Sequence, residues 1–249
     1  MASLLACWIF RTWRLTNILV ENTEIIFTQL GGNFSRPFAE FKEKLSKVKA
    51  YLFDWDGVFN NGVKTEQGGS PFSEVDAMGT NMLRFGHWLK NNSLPSVGII
   101  TGEDNPSALY LAEREHFHSV YFKSKNKLIA FDHFLKANQL QPHEVAFVFD
   151  DVLDLGVAEK CGVRILVKHA AAPMFQSYSI KNEIADYITA NDDHAVRETC
   201  ELILSTLVVY DQAIQYRSHF NENYKIYLEA RQGVETKSYL VKGDSIEQV

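Results

Sequence analysis

Between residues 47 and 207, short apolar runs alternate with segments of helical period, and this alternation limits the chain to a parallel sheet covered by helices on both faces. The runs are Ala50-Tyr51-Leu52-Phe53, Val97-Gly98-Ile99-Ile100, residues 119–122, 145–149 and 164–167, and a short piece at 185–188. Most are continuously apolar, as in strands buried from both sides. Helical spacing fills 81–89, 106–115, 127–137, 155–161 and 194–207, and an irregular stretch with Pro173 precedes the last run. The expected fold class is α/β, a doubly wound, Rossmann-like parallel sheet.

Such a sheet gathers the carboxyl ends of its strands along one edge, where ligands bind. Four polar groups fall there: Asp54 and Asp56 after the first run, Thr101 and Gly102 after the second, Lys127 behind Lys123 and Lys125 at a helix start, and Asp150, Asp151 and Asp154 after the fourth. Each has a bland reading alone. Asp-X-Asp and Asp150-Asp151 can cap turns or helices, Thr101 can cap a helix, and Lys127 can face water with its neighbours. Brought to one crevice, they describe chemistry. Several carboxylates with no histidine or cysteine among them favour Mg²⁺, while a hydroxyl, backbone amides and a lysine suit phosphate oxygens. The set is that of phosphoryl transfer: Asp54 as nucleophile, Asp56 as general acid and base, and Lys127 with Mg²⁺ offsetting the developing charge.

In order, Asp-X-Asp-Gly-Val, Ile-Ile-Thr-Gly, Asn126-Lys127-Leu128 and Asp150-Asp151-X-X-Asp154 resemble the four motifs of the haloacid dehalogenase superfamily. Ala185-Asp186-Tyr187-Ile188-Thr189 and Ala195-Val196-Arg197-Glu198 add a similarity to its capless octulosonate-phosphate phosphatases. The resemblance implies phosphate binding by Thr101, Gly102 and Lys127, metal ligation by Asp54, the Trp55 backbone carbonyl and Asp150, and orienting roles for Asp151 and Asp154 behind them. It also implies a small phosphorylated substrate, a sugar or sugar-acid phosphate, and homotetramers in which a β-hairpin flap near 59–75 helps close a neighbour's site. Three departures stand out: Phe149 before the paired aspartates, Val75 in the flap, and Asn191-Asp192-Asp193-His194 ahead of Ala195.

A receiver domain uses similar groups but places its paired acids first and a lone aspartate later, the reverse of this order. The rival from another class is a catalytically weak scaffold that binds partners through terminal helices. A helical N-terminal extension is expected at 1–46, the core at 47–208, and a C-terminal helix and frayed tail at 209–249. Trp8, Phe10 and Trp13 make the first segment too apolar for a free tail, and a break is expected at Gly31-Gly32.

The net charge of −6 and the lack of a basic stripe argue against nucleic-acid binding. No run approaches a membrane span and no secretory signal is legible, so a cytoplasmic protein is expected. Cys7, Cys161 and Cys200 are too far apart for a metal knuckle and read as reduced thiols. None of the eight histidines has ligand spacing.

Overall fold

The computed structural model describes residues 22–64 and 69–249. The sequence alternation becomes a nine-stranded sheet among these residues. Its centre is six parallel strands: β2 (Ala50–Asp54), β3 (Ser96–Ile100), β4 (Ser119–Phe122), β5 (Val145–Phe149), β6 (Val163–Leu166) and β7 (Tyr187–Ile188). They lie in the order β7-β6-β5-β2-β3-β4, so strand order reverses beside β2. That reversal opens the crevice of a doubly wound sheet.

Alternate residues feed two helical layers. Tyr51 and Phe53 of β2 join one core with α2 (Phe38–Leu45), α3 (Glu74–Asn91), α4 (Pro106–Glu115), α8 (Ala195–Thr206) and α10 (Glu222–Gln232). Ala50 and Leu52 join the other, with α5 (Lys127–Ala137) and the short α6 (Leu155–Ala158). Helices α3 and α8 pack closely because α3 carries Gly86, where a Cβ would sit 2.1 Å from Leu204 Cδ2.

Several expectations change. Helix α3 begins at Glu74, where Ser73 accepts a hydrogen bond from the Val75 amide, so Val75 belongs to a helix start and not to the flap. The described flap residues, 59–64 and 69–73, contain no strand, so the expected hairpin is not formed among them; residues 65–68 lie outside the described residues. Pro173 opens a helix, α7 (Pro173–Lys181), its fixed φ suiting a first turn. The single helix read over 210–230 is two, α9 (Tyr210–Ser218) and α10, split where Phe220 takes φ +48° and Asn221 caps the Tyr224 amide.

The frayed tail is also ordered. Residues Lys237–Lys242 form β8, parallel to β4, and Ser245–Gln248 return antiparallel as β9 around Gly243 at φ +57°. Tyr239 and Val241 alternate into the core, and Tyr239 stacks on Tyr121 at 5.0 Å. Upstream, residues 22–30 form a helix, α1; after Gly31 a two-residue strand, β1 (Asn33–Phe34), pairs antiparallel with β7. Trp8, Phe10, Trp13 and Cys7 lie outside the described residues, while Cys161 and Cys200 are buried free thiols. No described helix is long and apolar enough to cross a membrane.

Candidate active site

The two-residue period of β2 gives Asp54 the side of Ala50 and Leu52, toward α5. Lys127 is the first residue of α5, and its ammonium bridges Asp54 Oδ1 and Asp154 Oδ1 at 2.5 Å each. All three side chains are buried. Burial and the nearby Asp150 push the Asp54 carboxyl up to about 7 against the pull of Lys127. Burial and repulsion from Asp54 likewise raise Asp154 to about 7. For Lys127, burial alone would lower the pKa, but the two carboxylates outweigh it and hold the ammonium protonated.

Asp54, Asp150 and Asp154 bring one oxygen each within 4.8 Å of one another. Three carboxylates facing a single ammonium leave negative charge uncompensated, and an all-oxygen set of this kind fits a hard divalent cation. Gly57 makes the approach possible: it adopts φ +84°, and a Cβ there would lie 1.9 Å from Asp150 Oδ2. Phe149, the departure that precedes the paired aspartates, packs into the core on the α5 side of the sheet. It is fully buried and stacks on Phe147 at 5.6 Å, a burial worth about 1.5–3 kcal/mol.

Asp56 faces the flap. It accepts from Ser70 Oγ at 2.9 Å, Asn105 Nδ2 at 3.0 Å and Lys64 Nζ at 2.8 Å, so both described stems of the flap loop meet on one carboxylate. Trp55, between the aspartates, anchors the flap from behind: it is fully buried, stacks on Phe59 at 5.0 Å, and donates from Nε1 to the Ser70 carbonyl.

The ligand set implied by the resemblance includes the carbonyl of Trp55. Its carbonyl accepts from the amides of Val58 and Phe59 and from Asn60 Nδ2, at 3.3, 3.0 and 3.2 Å, so its lone pairs are consumed in closing the turn. The carboxylate that lies with those of Asp54 and Asp150 is that of Asp154. Asp151 is exposed and caps the 3-10 helix Val152–Asp154 through the Val152 amide at 2.7 Å, while Asp154 is the one of the two that touches Lys127.

These residues surround a cleft of about 400 Å³ whose wall includes Asp54, Asp56, Gly102, Lys127, Asp150 and Asp154. Gly102 presents open backbone, with nothing within 4 Å of the position of a Cβ. Thr101 is buried behind the wall, where its Oγ1 accepts from Asn105 Nδ2 at 2.7 Å and from the Glu103 amide at 3.4 Å, leaving the hydroxyl proton free to be given.

Sequence reasoning missed Asn105, Ser70 and His169. Asn105 ties Thr101 to Asp56, and only its place at the start of α4, four residues past Thr101, hinted at this. His169 Nε2 lies 3.2 Å from Asp150 Oδ2, and that contact raises the imidazole above its ordinary value; its Nδ1 lies 3.8 Å from Asp192. No spacing signal links positions 150 and 169, because each follows a different strand.

No protein-family model matches the chain. It is 30% identical over 185 residues to 3-deoxy-D-manno-octulosonate 8-phosphate phosphatase of Escherichia coli strain B, covering 70% of this chain and 89% of that protein. Among solved structures, it is similar to a protein of Legionella pneumophila described as a HAD superfamily (subfamily III A) hydrolase. The TM-score is 0.60 with 27% identity, over 73% of this chain and 95% of the other. The fold is shared with 3-deoxy-D-manno-octulosonate 8-phosphate phosphatase of Moraxella catarrhalis, solved with magnesium, phosphate and KDO. That match has a TM-score of 0.58 and 24% identity over 73% and 98% of the two chains.

Proposed function

The chain belongs to the haloacid dehalogenase superfamily, and from that premise we propose that Asp54 carries its phosphoryl transfer. It is a Mg²⁺-dependent phosphatase that hydrolyses the phosphate monoester of a phosphorylated sugar. The observation that carries the assignment of Asp54 is its pairing with Lys127 at the mouth of β2, inside a three-carboxylate group that lacks a balancing charge.

Asp54, Asp150 and Asp154 would hold the cation, which when bound offsets phosphate charge and keeps the buried carboxylates ionised. Asp54 attacks phosphorus and forms an aspartyl-phosphate, and its bond to Lys127 aims the carboxylate. Lys127, the Thr101 hydroxyl and the open backbone at Gly102 receive the phosphoryl oxygens. Asp56, on the flap side, gives a proton to the leaving oxygen and then takes one from the water that cleaves the intermediate. Asn105, Ser70 and Lys64 hold it for both steps. Asp151 supports the motif from the cap of the 3-10 helix.

The reading extends to assembly: a homo-oligomer, a tetramer by family resemblance, in which the flap reaches a neighbour. Val63 and Leu153, apolar yet exposed beside the site, support a covering subunit. A cytoplasmic location accords with the reduced thiols of Cys161 and Cys200. Against the scaffold alternative stand the paired Asp54 and Lys127 with Asp150 and Asp154 beside them, while Phe149, one of its motives, packs in the core. The test is phosphate release from a panel of sugar phosphates, wild type beside Asp54→Asn. Release by the wild type alone supports the assignment, and equal rates in the two proteins overturn it.

A further inference from the structure

Beside the catalytic cleft lies a second hollow of about 320 Å³. The two share Asn61 as a lining residue, and the Asp192–His169 pair joins them. The hollow presents the rings of Phe59 and Phe72, the amides of Asn60 and Asn61, and the carboxylates of Asp76, Asp192 and Asp193. His194 is its one basic lining residue among those described, and it faces Asp76 at 3.4 Å.

The other cations near the crevice are also engaged. Lys127 is shared by Asp54 and Asp154, Lys64 is held by Asp56, and His169 lies against Asp150. On the cleft side, Asp54, Asp56, Glu103, Asp150, Asp151 and Asp154 outnumber Lys127, His169 and the Lys64 that Asp56 holds, so a bound divalent ion leaves the described wall without excess positive charge before phosphate arrives. The substrate's phosphate therefore meets whatever positive charge the site can offer. A second anionic group on the same molecule would enter a hollow lined by the exposed carboxylates of Asp192 and Asp193 and by Asp76, which already accepts from the Arg197 amide and faces His194, and among the described lining residues it would find no uncommitted cation.

We infer that the leaving group is an uncharged polyol, a neutral sugar or sugar alcohol, and that sugar-acid phosphates are selected against. This rests on the phosphatase reading and deepens it. Sugar hydroxyls donate to carboxylates, exchange hydrogen bonds with side-chain amides, and leave an apolar C–H face to lie on an aromatic ring; the hollow supplies all three. A substrate carboxylate can donate to none of them.

The matched probes are glucitol 6-phosphate and 6-phosphogluconate, open chains of equal length that differ by CH₂OH against COO⁻, with p-nitrophenyl phosphate as an aryl control. We expect kcat/KM for the glucitol ester to exceed that for the gluconate ester at least about tenfold. Raised ionic strength should narrow the ratio, because the rejection is electrostatic. The double variant Asp192→Asn/Asp193→Asn should narrow it severalfold. Preference for 6-phosphogluconate, or a ratio that the double variant does not move, overturns the inference. Turnover of the aryl ester with neither sugar ester accepted overturns it while leaving the phosphatase reading in place. If all three esters react no faster than with Asp54→Asn, the phosphatase reading itself fails.

Discussion

The two ends of the central sheet each bury aspartate, and they treat it differently. At the amino end, just before β7, Asp186 is 2% exposed and fully matched. Lys44 reaches it at 2.6 Å, the Arg164 guanidinium at 2.9 and 3.1 Å, and the Arg164 amide at 2.9 Å. At the carboxyl end, Asp54 and Asp154 are as deeply buried yet share one ammonium, with Asp150 close by. Charge is saturated where it only ties α2 to the sheet, and left in deficit where a second cation and a phosphate must enter. A buried carboxylate alone marks neither role; the count of its partners does.

The largest effect that should separate the two ends is that of Asp54→Asn. Loss of the nucleophile should cost kcat about 10⁴-fold or more in a phosphate-release assay. Without Mg²⁺ the same variant should melt no lower than wild type, since it relieves uncompensated charge. A lower melting temperature would show that Asp54 is structural, like Asp186. Next, Asp56→Asn should slow turnover by about 10²–10⁴-fold while leaving the calorimetric Mg²⁺ affinity intact.

Asp186→Asn reverses the pattern. It strips charge from a matched buried group and should lower unfolding free energy by about 3 kcal/mol in urea titrations, with kcat of the folded fraction preserved. If activity falls along with stability, the two ends are coupled and the contrast breaks.

The charge deficit also has a pH signature. The metal-free native state keeps protons on Asp54 and Asp154 up to about pH 7, whereas the unfolded chain releases them near the ordinary value of 3.8. Stability of the metal-free protein should therefore fall as pH rises from about 4 to 7 and level off above. Lys127, raised above 10.5, contributes throughout that range and only loses its contribution in strong alkali. Saturating Mg²⁺ should flatten the slope and add about 2.7 kcal/mol at a hundredfold excess over its Kd. A scan that rises with pH in chelator would contradict the deficit. The smallest effect is expected at His169→Asn, which should weaken Mg²⁺ binding about tenfold by freeing the Asp150 carboxylate to turn.

Much of this was legible along the chain. The runs at 50–53, 97–100 and 145–149 could be buried strands because apolar continuity has few other uses at that length, and they are β2, β3 and β5. Asp54, Lys127 and Asp154 could be put together because the doubly wound topology collects strand ends, and they meet at 2.5 Å. The C-terminal strands were missed although Tyr239 and Val241 alternate ahead of Lys242-Gly243-Asp244-Ser245. A two-strand extension has no stability apart from the sheet edge it joins, so the local pattern resembles a loose end.

The sequence by itself determined the layers, the strand whose end holds Asp54, and the oxygen-rich character of the crevice, because periodicity and residue type act locally. Only the tertiary structure decided that the Trp55 carbonyl accepts three hydrogen bonds inside its own turn, that Asp154 lies beside Asp54 and Asp150, and that Asn105, Ser70 and His169 contact the aspartates. Those contacts join loops separated by up to about fifty residues, and a hydrogen bond across such a distance leaves no period in the chain to read.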